Sequence, residues 1–215
     1  RAIEIIKTVI DGIIVKDILT LKSFEKNTSS KINDLLYLLA QSDVISYHKL
    51  QESLRIPRQE TLESLIEVLI IAGILVKIPA YSQTYGSARK TPKFLFITPS
   101  LRSALLNNYF LSGIEGKKLE DYFALIYHKD IKGNKFFGNT KLSYDAAERD
   151  ADFILTLNNI KNIVIEVGFN KEETKQVENT MKKVNSIYGL IIGSKNLELV
   201  NDKIVKIPLK FLLTI

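Results

Sequence analysis

Two carboxylates stand at the ends of neighbouring apolar runs: Asp152 in Ala151-Asp152-Phe153-Ile154-Leu155 and Glu166 in Ile163-Val164-Ile165-Glu166-Val167-Gly168. Both runs read as strands, and a bare carboxylate is costly in a strand-lined interior. Thirteen residues lie between the acids, the spacing of a metal-dependent nuclease core. Alternation puts Asp152 with Ile154 and Thr156 on one face, and Glu166 with Val164 and Gly168 on one face, so the pair can converge on one sheet edge. With a backbone carbonyl and water they form the oxygen-rich shell that Mg²⁺ prefers. Glu120, beside the inward face of the preceding helix, offers a third carboxylate. A cation held there polarises a phosphate and lowers the pKa of an attacking water. Such a core carries a lysine two residues after the glutamate, where this chain has Gly168; replacing Gly168 by lysine is expected to raise cleavage. The same two acids read as well as strand-end residues paired with Arg149 or a nearby lysine.

The elements that must position these acids follow from periodicity. Residues 2–21 show a helical period interrupted at Asp11-Gly12. After a polar link a helix starts from a Ser29 or Ser30 cap and ends near Ser42-Asp43. A short helix over 46–54, a turn at Arg55-Ile56-Pro57, and a helix with Leu62, Leu65, Ile66, Leu69 and Ile70 inward follow, stopped by Gly73. Leu75–Ile78 and Lys93–Ile97 form a hairpin around a polar loop. Three helices and a hairpin predict a winged helix-turn-helix over 29–98, after a helical lead-in over 1–28. Residues 99–215 predict a mixed α/β domain. Pro99-Ser100 opens its first helix, Leu101–Phe110, and a second spans about 115–127 with Leu119, Tyr122, Phe123 and Ile126 inward. One or two strands follow within 129–145, then the two acid-bearing strands. A helix over 172–187 has Val177, Met181, Val184 and Ile187 inward, and three further strands close the chain.

The winged-helix pattern carries its own candidates. Arg55, Arg58, Gln59 and Thr61 open the third helix, where a DNA reader makes base contacts. Arg89, Lys90 and Lys93 of the wing reach for phosphates. Against this, Glu60, Glu63 and Glu67 line the exposed side of the same helix and repel a duplex. DNA binding and protein docking are equally open.

The chain has 215 residues with a formal charge of +6, which permits a nucleic-acid partner. It has no cysteine, so disulfides and thiolate metal sites are excluded and a cytoplasmic location is expected. No apolar run reaches the roughly 18 residues of a membrane span. His48 and His128 are isolated, which argues against zinc. No phosphate-binding Gly-x-x-x-x-Gly-Lys-Ser/Thr loop is present, so ATP would enter only through another domain. Arg1 stands inside a helical pattern, and the chain reads as part of a longer protein.

Several segments together resemble the domain of unknown function found C-terminal to AAA+ ATPases in archaea and bacteria. They are Val15-Lys16-Asp17-Ile18, Leu54 to Leu62, Ala72-Gly73-Ile74-Leu75, Thr91 to Arg102, Gly113 to Glu120, Arg149 to Ile154, Ile165-Glu166-Val167 and Lys206 to Leu212. Thr98 stands where that family has an aspartate. The resemblance implies an upstream AAA+ ATPase domain of the same polypeptide and a second domain of the restriction-endonuclease-like, PD-(D/E)xK type. It also implies Mg²⁺ or Mn²⁺ as cofactor and Glu120, Asp152 and Glu166 as catalytic, metal-holding carboxylates. The chain departs from the family at Gly168, and Lys171 or Lys175 is the candidate to take over the lysine's role. The expected function is a nucleic-acid-associated nuclease-like module of an ATPase, weakly active or inactive. The alternative is a non-enzymatic module that docks or regulates the ATPase.

Overall fold

The computed structural model describes residues 1–18, 28–82, 90–107, 113–146 and 151–212. It is mixed α+β and divides into two compact units, one of residues 1–77 and 91–114, the other of residues 78–90 and 115–215.

In the first unit, α1 (Ala2–Gly12) continues as a π-helical stretch over Ile13–Ile18. The expected interruption at Asp11-Gly12 does not occur. A glycine in a helix costs only about 1 kcal/mol relative to alanine, and the buried Ile10 and Ile14 on either side hold the helix on the core. Helix α2 (Thr28–Gln41) already includes Ser29 and Ser30, so neither serine sits outside it as a cap. Ser46 caps α3 (Tyr47–Leu54) by accepting from the Lys49 N–H. Arg55 then adopts a left-handed φ of 50°, and α4 (Gln59–Ile71) buries Leu62, Leu65, Ile66, Val68 and Leu69. Gly73, at φ 69°, turns the chain into β1 (Leu75–Ile78), which pairs with β2 (Lys93–Phe96). Helix α5 (Pro99–Leu105) opens at Pro99-Ser100 as expected, because Thr98 accepts from the Ser100 N–H and Pro99 fits the first turn. Its predicted continuation to Phe110 runs into residues outside the described ones.

Arg102 of α5 is fully buried in this unit. Its guanidinium donates to the Leu39 and Ala40 carbonyls, at 3.3 and 2.8 Å, and lies over the Phe96 ring. It satisfies carbonyls at the C-terminal end of α2, where a positive charge is favoured.

The second unit is a six-stranded sheet with helices. Helix α6 (Glu115–Ile126) runs into a π-helical turn over Tyr127–Ile131. Its buried positions are Leu119, Asp121, Phe123, Ala124 and Ile126; Tyr122 is half-buried and an acid takes an inward place instead. The sheet comprises β3 (Thr140–Ser143), β4 (Phe153–Leu157), β5 (Lys161–Val167), β6 (Tyr188–Ser194), β7 (Glu198–Val200) and β8 (Ile204–Pro208), in the order β3-β4-β5-β6-β8-β7. The first three strands are antiparallel neighbours, β5-β6-β8 are parallel, and β7 is antiparallel on β8. The parallel step from β5 to β6 is bridged by α7 (Lys175–Val184). Its Val177, Met181 and Val184 pack with Ile154, Val164, Ile191 and Ile204. Asn185, left-handed at φ 51°, ends α7 before Ile187, which is exposed rather than inward. A final turn, α8 (Leu209–Leu212), follows β8. No helix among the described residues is long and apolar enough to cross a membrane.

Candidate functional site

The β4–β5 hairpin brings the two predicted acids together. Its register pairs Phe153 with Ile165 and Ile154 with Val164, which sets Asp152 and Glu166 side by side at one end. The Asp152 N–H donates to Glu166 Oε2 at 3.3 Å, and the Val167 N–H donates to Asp152 Oδ2 at 2.8 Å. Each carboxylate thus clasps the other strand's backbone, and charge-assisted bonds of this kind outweigh neutral ones. Thr180 of α7 supports the entry to β4 by accepting from the Ala151 N–H at 3.0 Å.

Lys171 completes the cluster. Its ammonium lies 2.5 Å from Glu166 Oε1, with Glu166 only 2 % exposed. Burial works against the lysine's charge, but the hydrogen bond and charge of Glu166, followed by the charges of Asp152 and Glu120, outweigh it and raise the Lys171 pKa. The charge of Glu120 is the smallest of these influences on the ammonium. The Glu120 Oε2 atom is buried and takes no hydrogen bond, while the residue keeps other interactions. Lys175, the other candidate, starts α7.

The loop that delivers Lys171 is anchored at several points. The Gly168 and Lys171 N–H groups donate to the Ile192 and Gly193 carbonyls, at 3.0 and 3.3 Å. Gly193 has φ 100°, and a Cβ there would meet the Gly168 carbonyl oxygen at 1.6 Å, so only glycine permits this approach. Glu172 accepts from the Lys195 N–H at 2.7 Å and pairs with Lys206, which also reaches Glu198 at 3.2 Å. The Lys206 pKa is raised, chiefly by its hydrogen bond to Glu198. Sequence reasoning passed over Lys206. The available signal was its strand position, in register with the buried Ile204 and Pro208.

The donor set of Glu120, Asp152 and Glu166 is all oxygen, which suits a hard divalent ion. Among the described residues, no group of three or more His, Cys, Asp or Glu is gathered tightly enough to hold an ion by itself. Two of these acids with backbone carbonyl and water remain a chemically suitable shell.

The predicted nucleic-acid residues separate. Arg55, Arg58 and Gln59 are exposed at the turn and start of α4, with Gln59 donating to Glu63 at 2.8 Å. Lys90 is exposed, and Arg89 lies outside the described residues. Lys93 does not reach the surface: it is 7 % exposed and pairs with the equally buried Asp43 at 3.7 Å. Inward placement on β2 explains this, because all four residues of that strand are buried. Arg149 also lies outside the described residues, and the partner seen for Glu166 is Lys171.

A family model described as a domain of unknown function (DUF8612) matches residues 1–112. The chain is 35% identical, over 216 residues, to "Uncharacterized protein MJ1637" of Methanocaldococcus jannaschii, an alignment covering 98% of this chain and 44% of that protein. The chain thus spans less than half of that relative's length. No solved structure matches the chain.

Proposed function

The chain belongs to the DUF8612 family, and we propose that its α/β unit is a divalent-metal-dependent, nuclease-like module of the PD-(D/E)xK type with a relocated lysine. The observation that carries this reading is the Lys171 ammonium on Glu166, under the charges of Asp152 and Glu120. A cation beside paired strand-end acids is the arrangement that phosphodiester hydrolysis needs, and Lys171 supplies it from five residues beyond the glutamate instead of two. Its raised pKa keeps it an ammonium at neutral pH, so it serves as a fixed positive charge for the scissile phosphate and not as a proton acceptor. Asp152 and Glu166, with a backbone carbonyl and water, are the residues that would hold a Mg²⁺ or Mn²⁺ ion, and Glu120 would add negative charge beside them. Such an ion, when bound, polarises the phosphoryl oxygen and makes hydroxide available.

The first unit fits a winged helix. Helices α3 and α4 meet at a tight turn, a hairpin follows, and Arg55, Arg58 and Gln59 face solvent where such modules meet DNA. The greater part of the relative's length that lies outside the match leaves room for the ATPase domain the resemblance implies.

One observation favours a second reading. Both acids accept backbone N–H groups and Lys171 ties its own loop to β5, so the cluster would also serve as a clamp in a non-enzymatic module that docks or regulates an ATPase. Plasmid and single-strand cleavage with Mg²⁺ or Mn²⁺ separates the two. The nuclease reading expects metal-dependent cleavage that Glu166→Gln abolishes and Lys171→Ala lowers by roughly 10²-fold or more. Equal inactivity of wild type and both variants would leave the clamp.

A further inference from the structure

We infer that the turn following α6 is a stacking site for single-stranded nucleic acid, with Phe136 beneath a base and Lys132 and Lys135 at the flanking phosphates. Phe136 is 88 % exposed, more than any other large apolar side chain among the described residues. It is not a loose end. The Phe136 N–H donates to Asn134 Oδ1 at 2.9 Å, and the Phe137 and Gly138 N–H groups donate to the Asn134 carbonyl at 3.1 and 3.2 Å. Asn134 itself donates to the Asp130 carbonyl at 3.0 Å. The Phe137 ring meets Phe136 at 89°, with centroids 5.2 Å apart. The turn therefore presents an aromatic ring to solvent from a braced backbone, which lowers the entropic cost of using it.

A lone exposed phenylalanine needs no function, so charge decides. Residues 127–141 contain four lysines, Lys129, Lys132, Lys135 and Lys141, against one acid, Asp130. All four lysines are exposed. An aromatic platform among cations is the arrangement that holds single strands, because every unpaired base has a π-face and every nucleotide a phosphate. A duplex offers no such face. A lipid surface fits less well, since the ring is surrounded by Gly133, Asn134, Gly138 and Asn139 and brings little apolar area to insert.

The site is separate from the acid cluster. Asn139 and Asn158 exchange hydrogen bonds of 3.0 and 2.7 Å, which fastens the turn to the far end of β4 from Asp152. Six residue steps of extended chain from Asp152 to Asn158, about 20 Å, lie between them. The inference rests on binding and stands whether or not the acids cleave.

The chain has no tryptophan, so Phe136→Trp makes a sole tryptophan reporter, read by exciting beyond the tyrosine absorption. Titration of that variant with an unlabelled oligothymidylate should quench its emission. Fluorescence anisotropy with a labelled oligothymidylate should show Phe136→Ala and Phe136→Leu each binding roughly tenfold more weakly than wild type, and Lys132→Ala/Lys135→Ala with a shallower dependence on salt. Duplex affinity should be unchanged by the Phe136 substitutions. Leucine binding the single strand as tightly as phenylalanine would overturn stacking. Quenching by anionic vesicles but not by oligonucleotide would assign the turn to a lipid surface and overturn the proposal. Circular dichroism of each variant checks that the fold is intact. Loss of cleavage with intact oligothymidylate quenching would count against the acid cluster alone.

Discussion

The side chain of Lys171 lies across Gly168. A Cβ placed on Gly168 would fall 2.5 Å from Lys171 Cε and 2.9 Å from its Cγ. The missing side chain at position 168 is thus what lets a lysine three residues later lay its stem over the strand end and set its ammonium on Glu166. This changes the expected outcome of filling that position. Gly168→Ala should push the flexible Lys171 stem aside and lower cleavage toward the Lys171→Ala level, although no charge is removed. Gly168→Lys should bring two ammonium groups into competition and give no gain over wild type, against the expectation from strand alternation alone. Initial cleavage rates with Mn²⁺ for the three variants check this.

The Glu166–Lys171 pair is asymmetric, and its dissection should be too. Glu166 is almost fully buried while the Lys171 side chain is 36% exposed. Lys171→Ala leaves a carboxylate uncompensated and should cost roughly 1–3 kcal/mol. Glu166→Gln frees the ammonium to reach water and should cost less. Combining the two should recover part of the stability but none of the cleavage, which urea unfolding and a nuclease assay would show together. The pH dependence follows from the direction of the lysine shift. A pKa raised in the folded state means this contribution is complete below the unfolded lysine value and fades only as pH rises through the folded one. Stability from the pair should therefore hold from neutral pH to about pH 10.

Gly193 is the second glycine on which the site depends. With φ 100° and the Gly168 carbonyl oxygen where its Cβ would be, Gly193→Ala adds backbone strain to a backbone clash. We expect a loss of about 3 kcal/mol or more, and a fall in cleavage because the β5–β6 end that carries Lys171 must open. A thermal melt of the variant tests the first part, and its cleavage rate the second.

The convergence of Asp152 and Glu166 was legible because period-two alternation puts both acids on matching strand faces; the antiparallel register that pairs them comes from the structure. The helix cores were legible from apolar spacing, as Leu62, Leu65, Ile66 and Leu69 show. What was not legible depends on contacts remote in sequence. Nothing local distinguishes Lys171 from Lys175; the backbone approach of Gly193 to Gly168 decides between them. Glycine at position 12 resembles a helix break until Ile10 and Ile14 are known to be buried. Polar spacing hid the braced turn at Phe136, since a run of asparagine, glycine and lysine reads as an ordinary loop.

Lys93 provides the sharpest separation of surface charge from buried charge. Sequence order groups it with Lys90 as a phosphate contact, but it is paired with Asp43 in the interior, and the Phe94 N–H donates to the Asp43 carbonyl at 2.7 Å. Lys93→Ala would remove a paired cation from Asp43, a buried acid, at a cost of roughly 2–4 kcal/mol. It should lower the melting temperature and leave the salt dependence of DNA binding unchanged. Arg58, exposed at the start of α4, should behave in the opposite way. Arg58→Ala should leave the melting temperature within about 1 °C and, if the arginine neutralises one phosphate, reduce the slope of log affinity against log salt by about one. Lys93→Met/Asp43→Asn should recover most of the stability lost by Lys93→Ala, since neither remaining group carries a charge. A matching loss of salt slope in Lys93→Ala would place that ammonium at the surface in solution and contradict its pairing with Asp43.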